Sequence, residues 1–396
     1  MNRSWLLFAL VATAEATPTQ AEVILTAQLD YPCTDGEECR HHALDGFRAA
    51  LDAQRDHKAD HALRISYFGD SLTADDQITN GLRKRLQALV GDGGPGFVFA
   101  APPHPYCEHR AVARAVSEGW IAHGVSTVVP PDHLLGLGGS AETDEGGTIR
   151  FVPTGAVASI DVHYLAQPHG GRLDLVADGK LVTTIETAAD KKTGSFTSQS
   201  LPEGAKRIEL RARGHVRLFG ATLEAKAGAV VDNLGVVNAT AKQMRNNNLE
   251  AHWHNQLAHR APDLVVVMYG TNEAEWIRPR GAAMAEHEKL FGELLATVRA
   301  ASPNATCLVV SPLDQLEWHE DKMPPRESIP AMVEAQHRAA TANGCAFWDT
   351  YRWMGGKGAS AIWFKRGLMV KDFQHPTSEG ADRIADALYR GLTADR

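Results

Sequence analysis

Ser71, Asp372 and His375 are the residues whose types and settings suit chemistry. The run Leu63-Arg64-Ile65-Ser66-Tyr67-Phe68 is apolar and β-prone, and it ends abruptly in Gly69-Asp70-Ser71-Leu72. A helical pattern begins a few residues later, from Ile78 to Leu86. Strand, sharp turn, serine and helix together expose a nucleophile at the carboxyl edge of a sheet. Gly69 spares the turn a Cβ clash. A serine hydroxyl is a weak nucleophile at neutral pH and needs a base. Asp372-Phe373-Gln374-His375-Pro376 offers one, with a carboxylate three residues before the imidazole it would orient. Read alone, Ser71 is a turn serine; read with Asp372 and His375, it is the nucleophile. Asp70 is read as a brace for the turn.

Acyl transfer also needs hydrogen-bond donors where the tetrahedral oxyanion forms. Polar punctuation at three further strand ends supplies candidates: Asn233 to Asn238, Gly270-Thr271-Asn272-Glu273, and Ser311-Pro312-Leu313-Asp314. Asn272 follows a strand end and a glycine, so its amide can point into the site. Backbone N–H groups at Ser71 and at the second strand end would complete the hole. Trp318-His319 lies in a loop after a strand and either lines the acyl pocket or packs over the sheet.

The elements that position these residues alternate. A helix over Ala43–Leu51 leads into the first strand and the serine turn, and the break Gly91-Asp92-Gly93-Gly94-Pro95-Gly96 ends that segment. From about Gly119 to Glu224 helical periodicity disappears. Short alternating strands replace it: Thr148–Val152, Ala158–Tyr164, Arg172–Val176, Arg207–Arg211 and Val216–Gly220, with Asp178-Gly179 as a hairpin signal. Strand and helix patterns resume at Ala229 and continue through Leu264–Tyr269, Ala282–Ala300, Cys307–Ser311, Ala331–Ala342 and Ala346–Asp349. The expected fold class is α/β: a parallel sheet covered on both faces, interrupted by a jelly-roll-type β-sandwich. The expected division is a signal over 1–16, a discontinuous α/β domain over 17–118 and 227–396, and the insertion over 119–226.

The 396 residues are 44% hydrophobic and 22% charged, with a formal net charge of −8. That balance argues against a nucleic-acid partner, because phosphate binding needs clustered Lys and Arg. Arg83-Lys84-Arg85, the best short basic cluster, is read as a solvated helix face. Met1-Asn2-Arg3, an apolar run from Trp5 to Val11, and Ala12-Thr13-Ala14 or Ala14-Glu15-Ala16 form an export signal, too short in its apolar part to span a bilayer. Export to a bacterial periplasm or medium permits disulfides. Cys33 and Cys39 are placed to close a small loop. Cys307 and Cys345 each open a strand and are either bonded or buried thiols. No Cys-x-x-Cys pair occurs. His252 and His254 diverge on a helix, and no carboxylate nearby completes a ligand pattern, so they and His259 are read as surface or packing residues. No metal and no cofactor is expected.

Taken together, Gly69-Asp70-Ser71-Leu72, Gly270-Thr271-Asn272-Glu273 and Asp372-Phe373-Gln374-His375 resemble blocks one, three and five of the SGNH, or GDSL, hydrolases. The resemblance implies that Ser71 is the nucleophile, His375 the base, Asp372 its orienting carboxylate, and Asn272 the side-chain oxyanion donor beside the Ser71 N–H. Block two departs from the family: its glycine would fall at Asn238, with Gly235 as the alternative donor. The run Phe68 to Asp76, the Gly91–Phe97 break and the sandwich ending in Val231-Asp232-Asn233-Leu234-Gly235 are similar to bacterial peptidoglycan O-acetylesterases with a carbohydrate-module-like insertion. The expected function is therefore an exported O-acetylesterase whose partner is an acetylated cell-envelope glycan. An O-acyltransferase, a lipase or thioesterase, and a noncatalytic envelope-binding protein are the alternatives.

Overall fold

The computed structural model describes residues 27–34, 39–319 and 322–394; the expected export signal lies outside them. The chain enters through β1 (Leu29–Asp30), α1 (Asp45–Arg55) and β2 (Leu63–Gly69), then α2 (Ser71–Ala74) and α3 (Gln77–Val90). A run of strands follows: β3 (Gly96–Phe99), β4 (Val112–Val116), β5 (Ile121–Gly124), β6 (Gly139–Thr143), β7 (Gly146–Pro153), β8 (Ser159–Ala166), β9 (Arg172–Ala177), β10 (Lys180–Glu186), β11 (Thr193–Ser200), β12 (Ile208–Arg213) and β13 (Val216–Glu224). Alternation then resumes with β14 (Ala229–Gly235), α4 (Ala241–Asn246), α5 (Glu250–Arg260), β15 (Leu264–Met268), a short 3-10 turn (Glu273–Glu275), α6 (Ala282–Ala301), β16 (Thr306–Val310), α7 (Ser328–Ala342) and β17 (Ala346–Trp348). Helices α8 (Thr350–Trp353), α9 (Ala359–Lys365) and α10 (Ser378–Thr393) close the chain.

The central sheet has the order β1-β17-β16-β15-β2-β14. All its pairings are parallel except β1 with β17. Its central strand β15 is apolar throughout, and β2, β14 and β16 are largely so, because both faces are covered. Along β15, Val265 and Val267 pack into one core with Trp253, Phe291 and Met332 from α5, α6 and α7. Leu264, Val266 and Met268 pack into another with Leu51, Leu82 and Leu388 from α1, α3 and α10. The period-2 alternation of side chains thus feeds two helical layers, as the expected α/β class requires.

The antiparallel strands form two sheets, β10-β9-β12-β7-β4 and β11-β8-β13-β6-β5, with β3 added on β13. Phe151, Leu175 and Leu210 of the first share one core with Val162, Leu218 and Leu223 of the second, which makes a sandwich. Asp178 (φ 47°) and Gly179 (φ 83°) turn β9 into β10, the hairpin their dipeptide predicts.

Three expectations change. Strands β3 and β4 precede residue 119, yet they pair with β13 and β7 of the sandwich. Gly96-Phe97-Val98-Phe99 reads as a buried strand, and nothing local marks which sheet it joins. Arg83 is not solvated. It is buried, its guanidinium donating to both carboxylate oxygens of Asp76 at 3.0 and 3.1 Å and to the Val231 carbonyl at 2.7 Å. A single Arg fork there satisfies a buried acid and a sheet edge at once. Cys307 and Cys345, on adjacent strands, are disulfide-bonded, whereas no disulfide closes the Cys33–Cys39 loop.

Candidate active site

The site begins with how closely two strands approach one turn. Asp70 caps α2 by accepting the Leu72 N–H at 3.0 Å. It is wholly buried, and burial pushes its carboxyl up to about 6 against that hydrogen bond. A Cβ on Gly69 would stand 2.2 Å from the Thr73 hydroxyl; one on Gly235 would stand 2.4 Å from the Ala74 nitrogen. Both glycines therefore let β2 and β14 seat against the serine turn. Asn233 bolts the same seam, its amide donating to the Ala74 and Glu108 carbonyls.

Ser71 then meets the loop between α9 and α10. Ser71 Oγ lies 2.7 Å from His375 Nε2, and His375 Nδ1 lies 2.8 Å from Asp372 Oδ2. The other Asp372 oxygen accepts the backbone N–H groups of Gln374 and His375 at 2.9 and 3.0 Å. Asp372 thus orders both its own loop and the imidazole. With Nδ1–H donated to the carboxylate, Nε2 carries the lone pair that faces the serine hydroxyl. Burial disfavours charge on His375, but the hydrogen bond and charge of Asp372 outweigh it and hold the imidazole above its ordinary value. Asp372 itself, despite the cost of burial, is held down to about 2 by His375 and the two backbone donors.

Ser71 and His375 open into a cleft of about 610 Å³ that Asn238, Asn272, Tyr106, Trp276 and Val370 also line. Asn272 donates one amide hydrogen to the Ala239 carbonyl at 2.8 Å, which leaves its second hydrogen available to the cleft. Asn238 sits at φ 62°, in the left-handed region that Asn tolerates better than most residues. Gly235 lies inside β14 and packs under the serine turn. Of the two positions weighed for the second-block donor, Asn238 is the one on the cleft. Trp318 is 77% exposed and does not line the cleft; Tyr106 (71% exposed) and Trp276 (62%) do.

One residue of the site carried no role in the sequence reading. Glu273 is buried behind Asn272, accepting the Ala241 N–H at 2.8 Å on one oxygen and the Gly270 N–H at 3.1 Å on the other. It ties the loop bearing Asn238 to the loop bearing Asn272. Burial pushes its carboxyl up to about 7. An acid raised in the fold is stabilising while protonated, so its contribution is lost as pH rises from the ordinary Glu range toward 7. In Glu273→Gln an NH₂ group must face one of these N–H donors, and leaving a buried donor unpaired costs about 1–3 kcal/mol. The expected result is a lower thermal midpoint, a flatter stability profile between about pH 4.5 and 7, and a fall in kcat exceeding the change in KM. Unchanged kcat in the folded variant would mean that the two loops hold their places without it.

Comparisons with known proteins bear on the fold and class of the chain. The model of the GDSL-like lipase/acylhydrolase family matches residues 195–383. That span contains Asn272, Asp372 and His375 but not Ser71, which the sandwich separates from them. No curated protein sequence matches the chain. A solved peptidoglycan O-acetylesterase superposes with a TM-score of 0.75 at 24% identity, over 88% of this chain and 95% of that one. An acetylxylan esterase from Geobacillus stearothermophilus aligns at 18% identity over 42% of this chain and 74% of its own, TM-score 0.31. An α/β hydrolase from the metagenome of Lake Arreo, Spain, aligns at 22% identity over 42% and 75%, TM-score 0.31. The chain resembles the SGNH/GDSL hydrolases over residues 195–383, just under half of its length. It is a carboxylic ester hydrolase in which the family's α/β fold carries an inserted β-domain.

Proposed function

We propose that the protein is an exported serine esterase that removes O-acetyl groups from a cell-envelope glycan, peptidoglycan in the first instance. The observation that carries the reading is the unbroken chain of short hydrogen bonds Ser71–His375–Asp372 at the mouth of an open cleft. In this reading His375 Nε2 takes the Ser71 proton as Oγ attacks the ester carbonyl. The oxyanion receives hydrogen bonds from the backbone N–H groups of Ser71 and Asn238 and from the Asn272 amide. The imidazolium, held by Asp372, then gives its proton to the sugar oxygen as the C–O bond breaks. Water enters, loses its proton to His375, and releases acetate from Ser71. No metal and no cofactor takes part.

The substrate assignment rests on the cleft and on the architecture. The cleft is open, as a polymer requires, and two exposed aromatic rings flank the serine. Flat rings with an apolar face and a polar edge suit stacking on the apolar faces of sugars. The two-part architecture is shared with a solved peptidoglycan O-acetylesterase. Among the described residues no helix is long and apolar enough to cross a membrane. Export is proposed from the first 16 residues.

The test is product analysis. The protein is incubated with O-acetylated peptidoglycan and with acetylated xylan, and released acetate is quantified. Faster release from xylan would move the assignment to another glycan. Release from neither, with small acyl esters still cleaved, would remove the glycan altogether. Within this reading, Tyr106→Ala and Trp276→Ala should each lower kcat/KM on the polymer by about 2- to 10-fold while sparing a small acetyl ester, since binding far from the ester changes only the polymer's transition state. Equal losses on both substrates would reassign the rings to support of the cleft wall.

A further inference from the structure

Away from the cleft, three side chains from two parts of the fold converge on one point. Asp161 and His163 stand two apart on β8, so both project from the same face of the sandwich sheet. His259 comes from the last turn of α5. One ligand-type atom from each lies within 4.8 Å of the other two. We propose that Asp161, His163 and His259 bind a divalent cation of the zinc type, which ties the inserted sandwich to helix α5.

The argument turns on His163. It is wholly buried, and its Nδ1–H donates to Gln256 Oε1 at 3.1 Å. That hydrogen bond sets the tautomer and leaves the lone pair on Nε2. Nε2 takes part in no hydrogen bond and faces Asp161 Oδ2 at 3.4 Å. A buried lone pair directed at a carboxylate oxygen is repulsive unless a cation stands between them. The separation already suits a metal: bonds of about 2.0–2.1 Å in tetrahedral geometry put neighbouring ligand atoms about 3.3 Å apart.

The other two ligands fit the same pattern. Asp161 has its outer oxygen held by the Ser198 hydroxyl at 2.7 Å. Its inner oxygen accepts the Nε2–H of His259 at 2.6 Å. His259 is partly exposed and stacks flat on Phe196 at 3.5 Å, so it can swing outward over that ring. On binding, His259 exchanges protons with solvent so that Nδ1 carries the hydrogen and Nε2 the lone pair, which turns to the cation, and water from the open side fills the fourth position. Outer-shell hydrogen bonds to a ligating His and a ligating carboxylate, inside an aromatic wall of Phe97 and Phe196, are the usual surroundings of such a site. Imidazole and carboxylate donors at low coordination number suit zinc better than calcium or magnesium.

The expectation of no metal came from the sequence around His259. Its carboxylate and second imidazole lie about a hundred residues earlier, beyond the reach of any spacing rule.

The experiment uses the full chain, stripped with a chelator and titrated with zinc alone by calorimetry and by competition with a chromophoric chelator. Bound metal is counted after gel filtration. His259→Gln and Asp161→Asn are compared with wild type and with His254→Gln, a histidine of the same helix outside the cluster. His259 is partly exposed, so its variant is expected to fold, which circular dichroism checks. Wild type and His254→Gln should retain one zinc equivalent that both cluster variants lose, with affinity weakened at least about tenfold. Zinc should raise the thermal midpoint of the first pair only. Equal zinc affinity in wild type and the cluster variants would overturn the proposal. So would a wild type that retains no zinc, which would leave His163, Asp161 and His259 as a proton-filled chain.

Discussion

Replacing Ser71 with alanine is expected to lower kcat on a small acetyl ester by about 10³-fold or more, with little change in KM. The size follows from covalent chemistry: without Oγ no acyl-enzyme forms, and only the oxyanion donors and binding remain. The fold should survive, because the α2 cap belongs to Asp70, and the side-chain hydrogen bond lost is the one to His375. The measurement is steady-state hydrolysis of a p-nitrophenyl acetate-type substrate, with the variant's thermal midpoint alongside. Activity within tenfold of wild type, in a preparation free of host esterases, would sink the proposed nucleophile.

The parts of this fold that were legible are those whose physics is local. Strands β2, β14, β15 and β16 are mostly apolar because helices cover both sheet faces, and that shows as dense apolar runs. The Asp178-Gly179 hairpin was legible because only a few residues tolerate positive φ at both turn positions. Strand β11, Thr193-Gly194-Ser195-Phe196-Thr197-Ser198-Gln199-Ser200, was not legible. It pairs with β8 along its whole length through backbone hydrogen bonds, and its side chains carry almost no apolar signal. The allegiance of β3 and β4 and the burial of Arg83 were hidden for a related reason. Strand β3 and Arg83 depend on partners more than a hundred residues away in sequence, and β4 on a strand that only the folded sandwich brings beside it.

The same division runs through the site. Asp372 and His375 hydrogen-bond to each other within one loop, so their spacing could be read. Ser71 announced itself by the strand-turn-helix pattern. Asn272 was legible as the polar residue just past a strand end. The role of Gly235 was not: its lack of a side chain serves the close approach of Ala74, which only the folded chain brings there. Tyr106 sits in the segment between β3 and β4, and its place on the cleft follows from how that segment folds back. Glu273 stood in view beside Asn272, yet a carboxylate's two backbone donors from different loops leave no trace in a sequence.

The second large effect expected is that of Asp372→Asn. The asparagine oxygen can still accept the backbone N–H groups of Gln374 and His375, so the loop should keep its shape. Its amide would then face His375 Nδ1 and donate to it. That moves the imidazole proton to Nε2, where it meets the Ser71 hydroxyl in place of a lone pair. The base is removed while every atom stays close to its position. In serine hydrolases an exchange of this kind lowers kcat by about 10⁴-fold. The pH profile gives an independent reading. His375 must be neutral to accept a proton, and Asp372 holds it above its ordinary value, so the acidic limb of kcat/KM in wild type should lie above about 6.5. Without the carboxylate, burial is left to act on the ring and lowers its affinity for a proton, so the limb should move to lower pH. The variant should thus be slower at every pH, with a profile displaced toward acid. A large rise in KM with normal kcat would place Asp372 in substrate binding. An unmoved limb would mean that the His375 imidazole is not the group whose protonation governs the rate.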